Sequence, residues 1–264
     1  MIKLPISVCM IARAEAGRIG RALESVAHWT NEIIVVLNDD VSDGTDRIAA
    51  SHGAKVLREP WKGHIAQKNS AAAKATQPWL FGLDADEVVS PALRAEMERI
   101  FSDLDALHRF AAFSCPRLTL FCGRWIRHGD WYPDRQTRLW QRGRAQWQGI
   151  DPHDKLQVDG PVARLSSDLW HYTAESVDRQ IAKINRYADD FARHRLAAGQ
   201  PARQLELFVR PGWRFLRSYV LKLGFLDGWQ GLYVAWFTAF YTMVRYARLR
   251  EAGLRAEAPP SSVP

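Results

Sequence analysis

Residues 80–88 read LFGLDADEV, an apolar run that stops abruptly at three carboxylates, Asp84, Asp86 and Glu87. A short apolar run bounded by polar residues is the pattern of a strand buried on both faces of a parallel sheet. Open sheets of that kind bind ligands just beyond the carboxyl ends of their strands, which is where these acids fall. An Asp-x-Asp pair suits a hard divalent cation that keeps several waters and bridges phosphate oxygens. A bare pair is more often a solvated turn, so the rest of the chain must carry the assignment.

Upstream the chain alternates. Strand patterns at residues 6–11, 32–37, 55–57 and 79–83 are separated by helical periods at 18–27, 45–51 and 65–75. Ile19, Ala22, Leu23 and Val26 share one helical face, and residues 33–36 are four β-branched residues in a row. This alternation predicts an α/β fold: a mostly parallel, Rossmann-like sheet with right-handed crossovers, flanked by helices. Ser90 as N-cap and Pro91 at the first helical position predict a further helix over 91–101. From 110 to 169, strand patterns (111–115, 119–121, 137–140) alternate with loops rich in Arg, Trp and Gly. From residue 175 the texture is helical, with a long aromatic stretch over 213–250 and a Pro/Ser-rich end at 256–264.

A chain of 264 residues with 47% hydrophobic content is globular, and its net charge of +7 calls for a polyanionic neighbour. Nucleic acid, an anionic membrane or a phosphorylated substrate would each satisfy it. Eleven Trp residues suit sugar stacking, a membrane interface or plain core. Cys9, Cys115 and Cys122 are odd in number, form no C-x-x-C pair and lie in apolar runs, which predicts buried thiols in a reducing compartment. Residues 1–11 lack the pattern of a secretory leader, which places the chain in the cytoplasm.

Six stretches in order carry a resemblance. They are VCMIARAEAGRIGRALESV at 8–26, LNDDVSDGT at 37–45, WKGHIAQKN at 61–69, LDADE at 83–87, HGDWYPDRQTRLW at 128–140 and HDKL at 153–156. Together they resemble a family 2 glycosyltransferase of GT-A fold, in the subgroup of lipopolysaccharide-core β-glucosyltransferases. The pattern departs at Ala14, where the family has Asn. It departs again at Asp154, where the subgroup has Glu, and in the 37–45 loop, which is one residue longer.

The resemblance implies a GT-A catalytic domain at 1–172 (donor half about 1–100, acceptor half about 101–172); the helical, aromatic and basic texture makes 173–255 a helical membrane-facing region, and the Pro/Ser-rich composition of 256–264 predicts a disordered tail. It implies transfer of a sugar, glucose for this subgroup, from a UDP-sugar to a lipid-linked envelope saccharide at the cytoplasmic face of the bacterial inner membrane, with no nucleic acid involved. Glu15, Asn38, Asp39, Lys68, Asn69, Asp84 and Arg138 are its donor-binding candidates.

Chemistry gives roles to the same residues. A departing diphosphate needs a cation, Mg or Mn, and Asp86 is its candidate ligand. Asp84 would hold the ribose or a metal-bound water, while Glu87 has no ligand role. Lys68 and Asn69 open a helix after a glycine, where dipole and cation meet a diphosphate. Arg135 and Arg138 suit phosphate, although Arg135 reads equally as a surface arginine. Asp43, Gly44 and Thr45 form either a nucleotide lip or an ordinary capping turn. Attack by a hydroxyl needs a base; an Asp in a polar loop is ordinarily a turn residue, and it is the subgroup resemblance that selects Asp154, with Asp151 the runner-up. Single displacement implies inversion.

Residues 228–244 carry no charge, and arginines flank them at 245, 248 and 250 and at 214 and 217. Seventeen residues are at the lower limit for a membrane span, so basic flanks and aromatic rings predict a helical platform on anionic lipid. A helix pair packed on the catalytic domain is the competing reading. Two other functions share the Asp-x-Asp sheet: a nucleotidyltransferase, which requires a glycine-rich phosphate loop absent from 12–17, and a polyanion-binding module on a degenerate transferase fold.

Overall fold

The computed structural model describes residues 3–150, 153–173, 177–200 and 205–257. The chain forms two compact units, one of Met1–Leu118 with Asp134–Tyr172, the other of Thr119–Pro133 with Thr173–Pro264. In chain order the elements are β1 (Leu4–Ala12), α1 (Ile19–Ala27), β2 (Thr30–Asn38), α2 (Thr45–Ser51), β3 (Lys55–Glu59), α3 (His64–Ala73), β4 (Trp79–Gly82), β5 (Glu87–Val89), α4 (Pro91–Ser102), α5 (Leu104–His108) and β6 (Ala112–Phe121). Then come β7 (Arg124–Ile126), β8 (Asp134–Gln141), β9 (Ala145–Ile150), β10 (His153–Val158), β11 (Val162–Arg164), β12 (Leu169–His171), α6 (Val177–Ala197), α7 (Glu206–Leu216) and α8 (Gly228–Glu257).

The first unit is the α/β sheet domain that the strand–helix alternation predicts. Its mixed sheet runs β3-β2-β1-β4-β8-β6-β12-β5. The first four strands are parallel, with Met10 beside Val35 and Cys9 beside Gly82, and β8 runs antiparallel between β4 and β6. Residues Ile33 to Leu37 are all buried, as a strand covered on both faces requires. One face packs on α1, whose Ile19, Ala22, Leu23 and Val26 are fully buried, together with Leu93 and Met97 of α4. The other face holds Ala71 of α3, Trp140 and Trp147. Ser90 caps α4 by accepting from the Leu93 N–H at 3.1 Å.

Three local expectations shift. The patterns at 111–115 and 119–121 are one strand, β6, which runs through Pro116. β9 and β10, which no strand pattern marks within the loop-rich stretch, pair antiparallel as a hairpin, a two-stranded sheet apart from the main one. Of the three cysteines, Cys9 and Cys115 are buried but Cys122 is exposed, because the chain turns there with φ +45° after β6.

In the second unit, α6 and α7 pack on α8. The aromatic stretch is not one helix. A π turn over Arg217–Leu221 ends α7, Leu223 adopts φ +56°, and a 3-10 turn over Gly224–Asp227 leads into α8. Two buried acids fasten residues 119–133 to these helices. Asp227 accepts from the Arg127 and His128 N–H groups at 2.9 and 2.8 Å, and Asp130 pairs with Arg217 at 2.6 Å and Lys222 at 3.2 Å. A Cβ on Gly231 would lie 1.9 Å from the Gly224 carbonyl oxygen, so only glycine admits this approach of α8 to the turn. α8 reaches Glu257, two residues into the expected tail, and 258–264 lie outside the described residues. Among the described residues, no helix is long and apolar enough to cross a membrane.

Candidate active site

β4 delivers the acids. After Gly82 the Leu83 N–H still bonds the Cys9 carbonyl of β1 at 3.1 Å, so the chain leaves the sheet only at Asp84. The Asp84 carboxylate accepts from Arg138 of β8 at 2.8 Å and lies 3.3 Å from the Lys68 ammonium of α3. Burial on its own would raise the Asp84 carboxyl, but Arg138 and Lys68 outweigh it and hold the group far below the usual carboxylate range. Arg138 is itself buried and pairs with the fully buried Glu87. Burial would lower the guanidinium's pKa; Glu87 and Asp84 reverse that and raise it. Arg117 closes the cluster, at 3.3 Å from Glu87 and 2.6 Å from Asp134. Glu87 therefore orients two arginines and turns away from the cleft.

Lys68 is shared. Its ammonium donates to Asp154 of β10 at 2.9 Å, while standing near Asp84 and 4.5 Å from the centre of the Trp147 ring. Asn69, the next residue, clasps the hairpin: its amide donates to the Trp147 carbonyl and accepts from the Trp147 N–H, both at 2.9 Å. Asp154 faces Gly149 in register across that hairpin. The α3 signature thus carries a cation on one side chain and the docking of the base-bearing hairpin on the other. Lys68, Asp84, Arg138 and Trp147 line one cleft with Cys9 and Leu83.

A second group surrounds Asp86. His171, at the end of β12, brings its Nε2 within 3.5 Å, and Arg18 reaches to 3.8 Å while also pairing with Glu15. Burial would raise the Asp86 carboxyl; His171 and Arg18 prevail over it and over the nearby Asp84, and hold it low. Among the described residues no three His, Cys, Asp or Glu side chains form a metal-ligating group. Asp86 offers one carboxylate to a cation that takes most of its ligands from a diphosphate and water, the habit of Mg²⁺, while the imidazole of His171 beside it suits a first-row transition ion such as Mn²⁺ better.

The remaining candidates lie at the ends of β1 and β2. Asp43 accepts from the Thr45 N–H at 3.0 Å, the Thr45 hydroxyl at 2.6 Å and the Ala16 N–H at 3.1 Å, and the Glu15 N–H donates to Thr45 at 2.9 Å. The Asp-Gly-Thr turn is both a helix start and a bridge between the two loops. Asn38 is buried with its side-chain oxygen unpartnered, and Asp39 is exposed beside it. Arg135 donates to the Leu165 carbonyl at 3.0 Å. Asp151 lies outside the described residues. Sequence reasoning did not find His171, Arg18, Arg117 or Trp147. No spacing rule marks His171, which reaches Asp86 because β12 pairs with β5 and sets His171 opposite Glu87.

The family model described as glycosyl transferase family 2 matches residues 7–155. An uncharacterized glycosyltransferase of Rickettsia prowazekii, RP128, is 29% identical over 96% of this chain and 89% of its own length. The lipopolysaccharide core biosynthesis glycosyltransferase LpsC of Rhizobium meliloti is 27% identical over 93% of this chain and 94% of its own. Among solved structures, S. aureus TarS 1-349 in complex with UDP-GlcNAc covers 96% of this chain and 92% of that one, with TM-score 0.51 and 12% identity, a likeness of fold.

Proposed function

Since the chain belongs to glycosyl transferase family 2 and is a glycosyltransferase on a GT-A fold, we propose that it transfers glucose from a UDP-sugar to a hydroxyl of a lipid-linked lipopolysaccharide-core or similar envelope saccharide. The reaction would run with inversion, at the cytoplasmic face of the inner membrane. The single observation that carries the catalytic reading is the position of Lys68, held between Asp84 on the donor side and Asp154 on the hairpin. The kinship with LpsC supports the class of acceptor.

A divalent cation, Mg or Mn, would supply charge stabilisation to the departing diphosphate, with Asp86 and His171 as its protein ligands. Arg138 acts on the donor through Asp84, which it fixes and keeps ionised. Lys68 pairs with Asp154 at 2.9 Å. A diphosphate entering the cleft offers Lys68 a stronger anionic partner, and the Asp154 carboxylate is released to the acceptor side. Asp154 then takes the acceptor's hydroxyl proton as that oxygen bonds to C1 and the C1–phosphate oxygen bond breaks, releasing UDP. One displacement converts an α-linked donor into a β-glycoside. Asn38 and Asp39 face the base and ribose at the β2 end, Glu15 holds the β1 loop through Arg18, and Asn69 keeps the hairpin in place.

The test is Asp154→Asn. It should abolish transfer, by about 100-fold or more, and leave UDP affinity within a few-fold of the parent, because a base acts on the acceptor and not on the diphosphate. An active Asp154→Asn together with an inactive Asp151→Asn would assign the base to Asp151.

A further inference from the structure

The second unit bears an apolar face that none of the described residues covers. On α7 and its π turn, Phe208, Val209, Trp213, Leu216 and Val220 are exposed, with Phe208 at 76%. Their spacing of one, three and four residues sets them along one side of the helix. On α8, Trp229, Leu232, Trp236, Phe240 and Met243 are exposed in the same way, with Trp229 at 58% and Trp236 at 59%. The helices pack on each other, and Trp236 meets Phe215 with ring centres 4.7 Å apart, so the two stripes adjoin. The turn between them adds Phe225 and Leu226, both about half exposed. Soluble monomers seldom expose a continuous apolar surface of this extent unless it is a contact surface.

Charge decides what the surface fits. Residues 119–133 and 173–264 hold sixteen Lys and Arg against nine Asp and Glu, whereas the rest of the chain holds twenty of each. The whole net charge of +7 therefore belongs to this unit. Arg210 and Lys222 stand exposed beside the apolar stripes. A second copy of the chain would bring two +7 units together, and like charges brought together disfavour association. No described helix can span a bilayer, and Trp with Arg on a partly apolar helix is the composition of an element lying in the headgroup plane.

We infer that the outer face of α7, its terminal turn and α8 docks on an anionic lipid bilayer, with Trp213, Trp229 and Trp236 inserted at headgroup depth and the arginines on lipid phosphate. This deepens the reading of the acceptor as lipid-linked, on which its biological purpose rests, but the binding stands on this unit alone.

Co-sedimentation of the full chain with vesicles of phosphatidylglycerol and phosphatidylcholine in equal parts tests it, with UDP affinity measured on the same samples. The full chain should pellet at low salt, and far less with phosphatidylcholine alone. At about 1 M salt, where the Debye length is about 3 Å, binding should weaken but persist. The triple variant W213E/W229E/W236E should bind the mixed vesicles at least ~10-fold more weakly and keep the parent's UDP affinity and circular dichroism. Bromine on the acyl chains should quench the parent's tryptophan fluorescence. A full chain that stays in the supernatant at low salt overturns the inference, as does a triple variant that binds like the parent. A lipid-free dimer that the triple variant dissolves, with no vesicle binding, would assign the face to self-association and also overturn it. Because UDP affinity reports only on the donor site, loss of vesicle binding and failure of the transferase reading are separable.

Discussion

Among the described residues, the first unit exposes three large hydrophobic side chains, Trp61, Leu104 and Val162; the second exposes seventeen. Their charges differ as sharply, with exact balance in the first and an excess of seven positive charges in the second. In the first unit the ionised groups look inward: Asp84, Glu87, Arg117, Arg138 and Lys68 are each matched to a partner of opposite sign. Such matching in a low-dielectric setting fixes geometry, the condition for stabilising a charge that develops at one point. In the second unit, two buried acids hold the framework, and the surplus cations and the aromatic rings face outward. An apolar core closed on itself suits chemistry; an open one suits a surface.

The widest separation between the units should come from Asp86→Ala. It removes the one carboxylate of the Asp-x-Asp pair that stands beside His171 and is not tied to Arg138. Transfer should fall by at least about 100-fold, since stabilising a leaving group's charge contributes several kcal/mol. Vesicle binding should be unchanged. Near-normal turnover that still requires a divalent cation would show that the cation is held elsewhere.

Glu87→Ala probes folding instead of chemistry. It leaves Arg117 and Arg138 facing one another in a buried pocket without their shared counter-charge. Breaking a buried ion pair in this way costs about 3–5 kcal/mol, or roughly 10 °C in Tm for a unit of this size. Hydrogen exchange should show β4, β5 and β8 opening sooner while α8 keeps its protection. If α8 lost protection in step, the two units would be one cooperative structure, and the comparison between them would not extend to stability.

The two units also differed in how much of them the sequence disclosed. In the first, periodicity alone gave the parallel strands, because a strand buried on both faces leaves an uninterrupted run such as residues 33–37. Asp84 and Asp86 were legible because an apolar run points to its own end. Lys68 was legible through the family signature, although its contact with Asp154 spans 86 positions and follows from no local pattern. His171 and Glu87 act through pairings between strands distant in sequence, and Arg18 reaches Asp86 from the start of α1; periodicity encodes neither. In the second unit, helix and aromatic content were plain, but the break near Leu223 was not. It depends on Gly231 admitting the Gly224 carbonyl, a contact between two unremarkable glycines. The grouping of residues 119–133 with the helices was equally hidden, since it turns on two single acids, Asp130 and Asp227.

The smallest effect concerns the acid limb of stability in the charge-balanced unit. Glu59, at the end of β3, accepts from Lys74 at 2.5 Å, Ser70 at 2.7 Å and Lys62 at 3.0 Å. These contacts, Lys74 foremost, lower its pKa from 4.5 to about 2. A carboxyl depressed on folding adds stability that is complete above its unfolded value and is lost as pH falls through its folded one. For Glu59 that window runs from about pH 4.5 down to about pH 2. The lysines are partly in water, so the network contributes at most about 1 kcal/mol. Glu59→Gln should accordingly lower Tm by about 2–4 °C near neutral pH and by progressively less on acidification, the two curves converging toward pH 2. Thermal melts across this range, followed in the far ultraviolet, measure the gap. Parallel curves would mean that the Lys74 and Lys62 contacts add no stability, and that the balance of charge in this unit rests on the buried Asp84–Arg138–Glu87 group alone.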